Sequence, residues 1–219
     1  MLLFVILYKM KISIDKLSPS QISVGYQQVE EKTKVLLDKK KKKNLKEYLQ
    51  AHPVPVIKGS LNHFYIVDHH HLCCAANNLN IDEVYYTIVA DWSTLTTNQF
   101  WQKMNEARYI WLFDSDGSSI RIDEITSYLP KSIRDLKNDA YRSLAGMVRK
   151  NGGFFKVKVP FSEFCWANFF RNSNLEMETD TIIINDTVFN AAMALARTDK
   201  ASHLPGFISS KNNIYQKKN

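Results

Sequence analysis

Cysteine is scarce in this chain of 219 residues. The chain has only three cysteines, Cys73, Cys74 and Cys165, and none of them forms a CxxC pair. An odd number that includes one adjacent pair is a poor disulfide framework, so we expect a reducing compartment and a cytoplasmic protein. The missing CxxC also argues against a structural zinc site built from thiolates.

Long hydrophobic runs are missing as well. The apolar start of the chain, residues 1–8, is shorter than the roughly 20 apolar residues that a membrane-spanning helix needs. Lys9 and Lys11 follow it and no basic residue precedes it, which reverses the charge order of a secretory signal. We interpret this start as a short strand or a start-codon extension, with a weak signal peptide as the alternative, and we expect no membrane span.

Several widespread motifs and an excess of acidic charge are also absent. The sequence has no GxxxxGK[ST], no GxGxxG and no GxSxG, which argues against a P-loop, a Rossmann fingerprint and a nucleophile elbow. Lys and Arg number 29 against 22 Asp and Glu, for a net charge of +7. Part of the excess is an unbroken lysine run, residues 39–43, which we interpret as a solvated helix face. The alternative is an electrostatic contact with nucleic acid or an acidic surface.

The hydrophobic and turn patterns predict alternating strands and helices around a substantial core. Two prolines, Pro53 and Pro55, favour an edge position for the strand over residues 54–58. We expect strands over residues 11–17, 54–58, 63–67, 82–89 and 109–113, and helices over residues 27–37, 43–51, 72–79, 98–107, 123–129, 139–149, 160–171 and 186–197. This pattern predicts a core over residues 11–120, a helical extension packed on it over residues 121–208, and a disordered tail over residues 209–219.

The run Asp68-His69-His70-His71 is the strongest functional signal. It follows the apolar residues 64–67 and precedes a small-residue helix. Adjacent strand residues point to opposite faces, so the strand should end near Asp68 and turn into the helix, where backbone N–H groups can meet an anion. Three imidazoles and a carboxylate suit proton transfer, phosphate contact or metal binding, with acid–base work favoured. The structural alternative is a surface His69 and a helix-capping His71.

A second group of residues follows Gly25. Glycine at a loop-to-helix junction lets the backbone approach a ligand. Glu30 or Glu31 could act as a base, and Lys32 could hold a phosphate. The alternative is the ordinary polar decoration of an amphipathic helix.

The third group lies on a helix that Asp139 is expected to cap. Arg142 and Arg149 are seven residues apart, so they share one face of that helix. Paired guanidinium groups suit a phosphate or a carboxylate. The alternative is an intramolecular ion pair with Glu163 or with aspartates.

Taken together, these segments resemble the ParB/sulfiredoxin superfamily, and most closely its branch of ParB-like nucleases. The matching segments are Ser18-Pro19-Ser20-Gln21 with Val24-Gly25, Asp68-His69-His70-His71-Leu72, residues 139–145 and residues 160–167. The resemblance covers roughly residues 11–172. It implies an α+β fold with a small mixed sheet and a C-terminal helical extension, and an activity on phosphates.

The same resemblance exposes a departure from the superfamily pattern. Superfamily members include partition proteins that bind and hydrolyse CTP, sulfiredoxins that use ATP, and serine kinases. His69 stands where those members carry glycine, and His71 and Leu72 stand where they carry phosphate-binding arginines. Because a neutral imidazole is a poor substitute for a guanidinium, Lys32, Arg142 or Arg149 would have to supply the lost charge. The sulfiredoxin cysteine falls on His70, which argues against that reaction.

The resulting prediction is a nuclease or phosphodiesterase with a histidine-centred site. His70 would be the acid or base, Asp68 its orienting partner, His71 a second acid or phosphate contact, and Glu30 a base or metal ligand. The phosphate- or nucleotide-binding residues would be Lys32, Gly25, His69, Arg142 and Arg149, and Mg²⁺ or Mn²⁺ is a plausible cofactor. One alternative is a nucleotide-dependent kinase of a small metabolite or a nucleotide hydrolase. Another is a non-catalytic module that binds DNA or a partner protein.

Overall fold

A computed structural model describes residues 10–175, 177 and 184–209 of the chain. The expected N-terminal strand or extension over residues 1–8 lies outside the described residues, as does all of the expected disordered tail except Ser209. The described chain forms two compact units. The first contains the chain up to Ile22, Val29–Asp114 and Ser118–Lys137, and the second contains Ser23–Gln28, Ser115–Gly117 and the chain from Asn138 onward.

The helices follow one another as the sequence predicts, with small shifts at their ends, whereas the strands depart from the prediction in several places. The strands are β1 (Met10–Ser13), β2 (Leu17–Pro19), β3 (Ser23–Val24), β4 (Val54–Lys58), β5 (Phe64–Ile66), β6 (Glu83–Asp91) and β7 (Lys137–Asn138). The helices are α1 (Tyr26–Lys41), α2 (Leu45–Ala51), α3 (His70–Asn78), α4 (Thr97–Glu106), α5 (Ile125–Tyr128), α6 (Ala140–Lys150), α7 (Ser162–Arg171) and α8 (Asp186–Leu195). The α+β class is confirmed.

A mixed five-stranded sheet forms the frame of the first unit. Its strand order is β1-β6-β4-β5-β2, with β2 parallel to β5, β4 parallel to β6, and the other two pairs antiparallel. Ile57 of β4 is fully buried against apolar side chains of α4 and the segment that follows it. That cluster contains Ile22, Ile57, Phe100, Trp101, Met104, Ile110, Ile120 and Ile125. The sheet therefore has a packed face that fixes the ends of β2 and β5, where the histidine run begins.

The expected edge position of β4 is wrong, because this strand lies at the centre of the sheet. The carbonyl of Pro55 accepts a hydrogen bond from the N–H of Val67, one residue beyond the end of β5. The N–H that Pro55 lacks would point to the same side. Its loss therefore affects only the end of the β4–β5 ladder, and a central strand tolerates the proline there.

Two other strand predictions need correction. Residues 109–113 form no strand; only a single bridge joins Phe113 to Ser119. Ile110 of this apolar run instead packs in the core of the first unit. A short apolar run is as compatible with a buried connecting segment as with a strand. The expected strand over residues 11–17 is broken by a 3-10 turn over Ile14–Lys16, which separates β1 from β2.

The second unit is built on α6, α7 and α8. Its core is centred on Trp166, whose ring stacks on that of Phe154 with the centroids 4.2 Å apart. The indole N–H of Trp166 donates to the carbonyl of Pro205, so its polar group is satisfied in the core. The compact units group the residues differently from the expected core over 11–120 and extension over 121–208, and that division stays a prediction. No helix in the described ranges is long and apolar enough to cross a membrane.

Candidate active site

The turn between β5 and α3 places the histidine run. β5 ends at Ile66 and α3 begins at His70, so the strand stops and the helix starts where the sequence predicts. His69 is the N-cap residue and has a left-handed backbone, with φ 69° and ψ 21°. A side chain in this conformation costs about 1–2 kcal/mol, which explains why glycine would fit here. The Asp68 carboxylate accepts a hydrogen bond of 2.6 Å from the His69 N–H and holds the turn.

His70 lies in the interior of the first unit. It is 3% exposed, and its Nε2 accepts a hydrogen bond of 3.2 Å from the backbone N–H of Ser20. An Nε2 atom that accepts a hydrogen bond carries no proton, so the neutral ring is protonated on Nδ1. Burial, together with the neighbouring His69, lowers the pKa of His70 to about 3. His70 therefore holds the Ser18–Gln21 motif against α3 as an uncharged ring.

His69 is half-buried and has a different environment. Burial lowers the pKa of His69, Asp68 opposes this shift, and His52 and Lys32 add to it. One ring nitrogen is hydrogen-bonded to the backbone of His52, while Nδ1 is buried without a hydrogen-bond partner. In the neutral tautomer that carries its proton on Nε2, Nδ1 is a bare acceptor.

Two residues near His69 were not identified as site residues from the sequence. Tyr48 and His52 lie on and just after α2, and their rings stack with centroids 4.2 Å apart. The His52 Nδ1 lies 2.7 Å from the Tyr48 carbonyl, and the His52 ring lies 6.5 Å from that of His69. Lys32 Nζ donates to the Tyr48 hydroxyl over 3.2 Å, and Lys39 Nζ lies 5.7 Å from the centre of the Tyr48 ring. The four-residue spacing of Tyr48 and His52 was the available sequence signal, since it places both on one helix face.

The other predicted residues of the first unit are placed as follows. His71 is half-buried in the first turn of α3, and Glu30 is exposed on α1. Glu30 and Lys32 are two residues apart on a helix, so they point in directions about 200° apart. Because Lys32 reaches Tyr48, Glu30 points away from the ring cluster. The structure thus brings Lys32 to His69 and leaves Glu30 apart from them.

Gly25, a predicted phosphate contact, is closely packed within the second unit. A Cβ atom on it would lie 2.8 Å from Ser143 Oγ and 2.9 Å from the Ser143 backbone nitrogen. The N–H of Tyr26 donates to Asn138 Oδ1, and that of Gln27 donates to Ser143 Oγ. Two of the first N–H groups of α1 are therefore occupied by side chains. Close packing is the role of this glycine that the structure displays.

Arg142 and Arg149 share one face of α6, as their spacing predicts. Arg149 Nε lies 2.8 Å from Glu163 Oε1, and Arg142 Nη2 lies 4.0 Å from Glu163 Oε2. Burial alone would raise the pKa of Glu163, but the two arginines hold it below its usual value. The ion pair that the sequence left open as an alternative is present. Any phosphate bound by these arginines would have to compete with Glu163.

The donor atoms offer no ready cation site in the described ranges of the chain. No three His, Cys, Asp or Glu side chains there are placed to hold one metal ion. The described residues thus show no preformed site with three protein ligands for Mg²⁺ or Mn²⁺, and the metal cofactor stays a prediction. Asp68, His69, His70, His71, Glu30 and Lys32 belong to the first unit, and Gly25, Arg142 and Arg149 belong to the second.

Comparison with known proteins decides the family. The family described as "Putative ParB-like nuclease" matches residues 10–172. The chain belongs to this family. The crystal structure of protein Atu1540 from Agrobacterium tumefaciens is similar to this ParB-like chain, with 37% sequence identity and a TM-score of 0.76. The match covers 91% of this chain and 96% of the other. Among curated protein sequences, none matches.

Family membership confirms the resemblance found in the sequence, which covered nearly the same residues. Within this ParB-like nuclease family member, the left-handed turn at His69 keeps the backbone shape that a glycine would give. A titratable ring thus stands at a position that a small residue would serve equally well for the fold. The histidine at position 69 therefore places an imidazole beside the first turn of α3.

Proposed function

We propose that this protein hydrolyses phosphodiester bonds, as a nuclease or phosphodiesterase, at the turn formed by Asp68, His69, His70 and His71. The observation that carries the proposal is the His69 ring, which is neutral and has a bare Nδ1 acceptor without a partner. A buried acceptor left unpaired costs about 1–3 kcal/mol. A water molecule or a substrate hydroxyl at this position would relieve that cost.

The proposed reaction needs only side chains of the first unit. His69 Nδ1 takes a proton from a water molecule, whose oxygen attacks the phosphorus atom. The bond from phosphorus to the leaving oxygen breaks, and His71, which enters the step as an imidazolium, donates its own proton to that oxygen and ends neutral. Lys32 and the N–H groups at the start of α3 stabilise the charge on the phosphoryl oxygens. In this scheme Asp68 holds the turn.

His70 has a positioning role in this proposal, although the sequence favoured it as the acid or base. A general base needs a lone pair that is not already occupied by another donor. The Nε2 lone pair of His70 accepts the Ser20 N–H, whereas Nδ1 of His69 has no hydrogen-bond partner. His70 and His69 therefore make separable predictions. Nucleic acid is the proposed substrate class, because the cation-rich α1 supplies Lys32 and Lys39 beside the Tyr48 ring.

A comparison of His69→Gly with His70→Gln tests the proposal. Glycine suits the left-handed backbone of residue 69, so the fold should persist while the base is lost. We expect His69→Gly to lower kcat on bis(p-nitrophenyl) phosphate and on labelled oligonucleotides by about 100-fold or more. His70→Gln should keep the rate within a few-fold, because a glutamine oxygen can still accept the Ser20 N–H.

The pH dependence of the rate gives a second readout. Since the pKa of His69 is lowered, its base form persists below the ordinary histidine value of 6.5. With bis(p-nitrophenyl) phosphate, whose leaving group needs little help from the acid His71, the rate should therefore stay on its plateau as the pH falls through 6.5 and decline only at lower pH. The reverse pattern of variants, with His70→Gln inactive and His69→Gly active, would return the base to His70. Tight oligonucleotide binding without any turnover would instead favour a DNA-binding module.

A cytoplasmic location is part of the same proposal. It is supported by the burial of Cys73 and Cys74 as thiols in α3. Burial raises the pKa of Cys74 to about 12, so this thiol stays protonated and unreactive.

A further inference from the structure

The stretch that joins α6 to α7 combines exposed aromatic surface with unopposed positive charge. From residue 151 to residue 161 the sequence has two lysines, Lys156 and Lys158, and no Asp or Glu. Phe155 is 56% exposed in this stretch, and Lys156 and Lys158 are exposed beside it. Neither lysine has an ion-pair partner in the part of the chain that the structure describes. Nothing in the proposed reaction uses this surface.

The backbone under Phe155 is fixed on both sides. Phe154, which precedes it, is 2% exposed and stacks on Trp166 with the ring planes 8° apart. The N–H of Phe155 donates to the Gly206 carbonyl over 2.8 Å. Gly206 has φ +77°, and a Cβ atom there would lie 2.2 Å from the Phe155 carbonyl oxygen. The backbone of Phe155 is therefore fixed, so only the side chain would have to be ordered on binding.

We propose that Phe155, Lys156 and Lys158 form a contact for single-stranded DNA, with a base stacked on the Phe155 ring and phosphates held by the two lysines. Exposed aromatic rings flanked by cations are the usual means of binding single strands without sequence preference. The inference rests on the proposed function, because it names the form of nucleic acid that the proposed nuclease would bind.

The chemistry of this stretch favours DNA over RNA. From Phe154 to Phe161 its side chains are apolar or cationic, and none is an uncharged polar group. A 2′-hydroxyl both donates and accepts hydrogen bonds. The two lysines could donate to its oxygen, but no side chain of this stretch could accept its proton, so the stretch has only half of the groups that read a ribose. Val157 and Val159 alternate with the lysines and present apolar surface that suits a deoxyribose.

Fluorescence anisotropy with a labelled 12-nucleotide single strand tests the contact in the full chain. Phe155→Ala should weaken binding by about fivefold or more, and Phe155→Trp should preserve it. Phe155→Leu separates stacking from simple hydrophobic contact, because leucine keeps apolar area without an aromatic face. The variant with both Lys156→Ala and Lys158→Ala should reduce the slope of log K against log salt by about 1.4. Lys131→Ala, an exposed lysine of the first unit, is the matched control and should leave both quantities unchanged.

The outcomes separate this inference from the proposed function. If the Phe155→Ala variant or the Phe155→Leu variant binds DNA as tightly as the wild-type protein does, the stacking contact is overturned. This holds whatever the rate on bis(p-nitrophenyl) phosphate. Equal or tighter binding of the matching RNA overturns the choice of DNA. Sedimentation with vesicles of anionic phospholipid that depends on Phe155, without binding of oligonucleotides, overturns the contact in favour of a membrane surface. Phe155-dependent DNA binding by a protein that hydrolyses no phosphodiester supports the contact and rejects the nuclease.

Discussion

At the scale of single residues, His70 couples the stability of the fold to acid. Its folded pKa is about 3 against an ordinary value of 6.5. Above pH 6.5 the ring is neutral in both the folded and unfolded states and adds no pH dependence. Between pH 6.5 and about pH 3 this histidine binds a proton in the unfolded chain but not in the folded chain. The free energy of unfolding therefore decreases as the pH is lowered through this range.

Substitution of this one ring should flatten that dependence. We expect the wild-type protein to lose up to about 5 kcal/mol from this group between pH 6.5 and pH 3. His70→Gln keeps an acceptor for the Ser20 N–H and cannot titrate there, so its loss should be smaller by that amount. Urea unfolding at pH 7, 5.5 and 4 measures the difference. Parallel curves for the two proteins would mean that His70 is not buried as described.

The contrast between His69 and His70 also shows what a sequence can supply at this scale. The run of histidines predicted the turn that ends β5, and the site that the run suggests stays a prediction. Which ring is accessible depends on the left-handed backbone of His69 and on a hydrogen bond to Ser20, fifty positions away. Neither is visible in a local pattern. Tyr48 and His52 were missed for the same reason, since only the tertiary fold brings them to His69.

At the scale of the elements, α6 and the start of α1 meet around one amide. Gln28 Nε2 donates to the Ser143 carbonyl, and a Cβ atom on Gly146 would lie 2.5 Å from that same nitrogen. Gly146 lies inside α6, where glycine costs about 1 kcal/mol relative to alanine. Glycine at position 146 therefore lowers the helix propensity of α6 but leaves the space that the Gln28 side chain occupies.

A double-mutant cycle tests this explanation. Gly146→Ala alone should destabilise the protein by about 1–2 kcal/mol, because the new methyl group displaces the Gln28 amide. In the Gln28→Ala background the clash is gone, and the same substitution should stabilise by up to about 1 kcal/mol. Urea unfolding of the four proteins gives the coupling energy. Additive effects would mean that Gly146 is needed for another reason.

Element types were predicted well because hydrophobic periodicity is a local property. The errors lie where a local pattern serves two purposes equally well. The apolar residues 109–113 suit a strand or a core-filling connector, and only the packing around Ile110 decides. Prolines usually mark an edge strand, yet β4 is central because Pro55 stands opposite the end of β5.

At the scale of the whole molecule, each compact unit takes residues from separate parts of the chain. The second unit includes Ser23–Gln28 and Ser115–Gly117, although most of its residues lie after residue 137. A boundary drawn along the sequence could not reveal this, because composition does not change at Ser23. Neither unit is thus a continuous piece of the sequence.

Truncation tests whether the second unit needs residues from the N-terminal part of the chain in order to fold. A fragment of residues 138–219 lacks Tyr26, Gln27 and Gln28, the partners of Asn138 and Ser143. We expect it to show no cooperative unfolding transition in the near-ultraviolet signal of Trp166. Mixing it with a fragment of residues 1–137 should restore the transition. A cooperative transition in residues 138–219 alone would contradict the interleaved arrangement.

The hydrogen bonds of residues 26–28 have a consequence for the synthesis of the protein. Tyr26 and Gln27 find their partners 112 and 116 positions later in the chain. During translation, the start of α1 therefore cannot form these hydrogen bonds until most of the chain has been synthesised. Contacts so distant in sequence slow folding and prolong the exposure of apolar surface. The buried Val24, two residues earlier, is exposed to the cell for all of that interval. This nascent chain should therefore depend on chaperones while residues 26–138 are being translated.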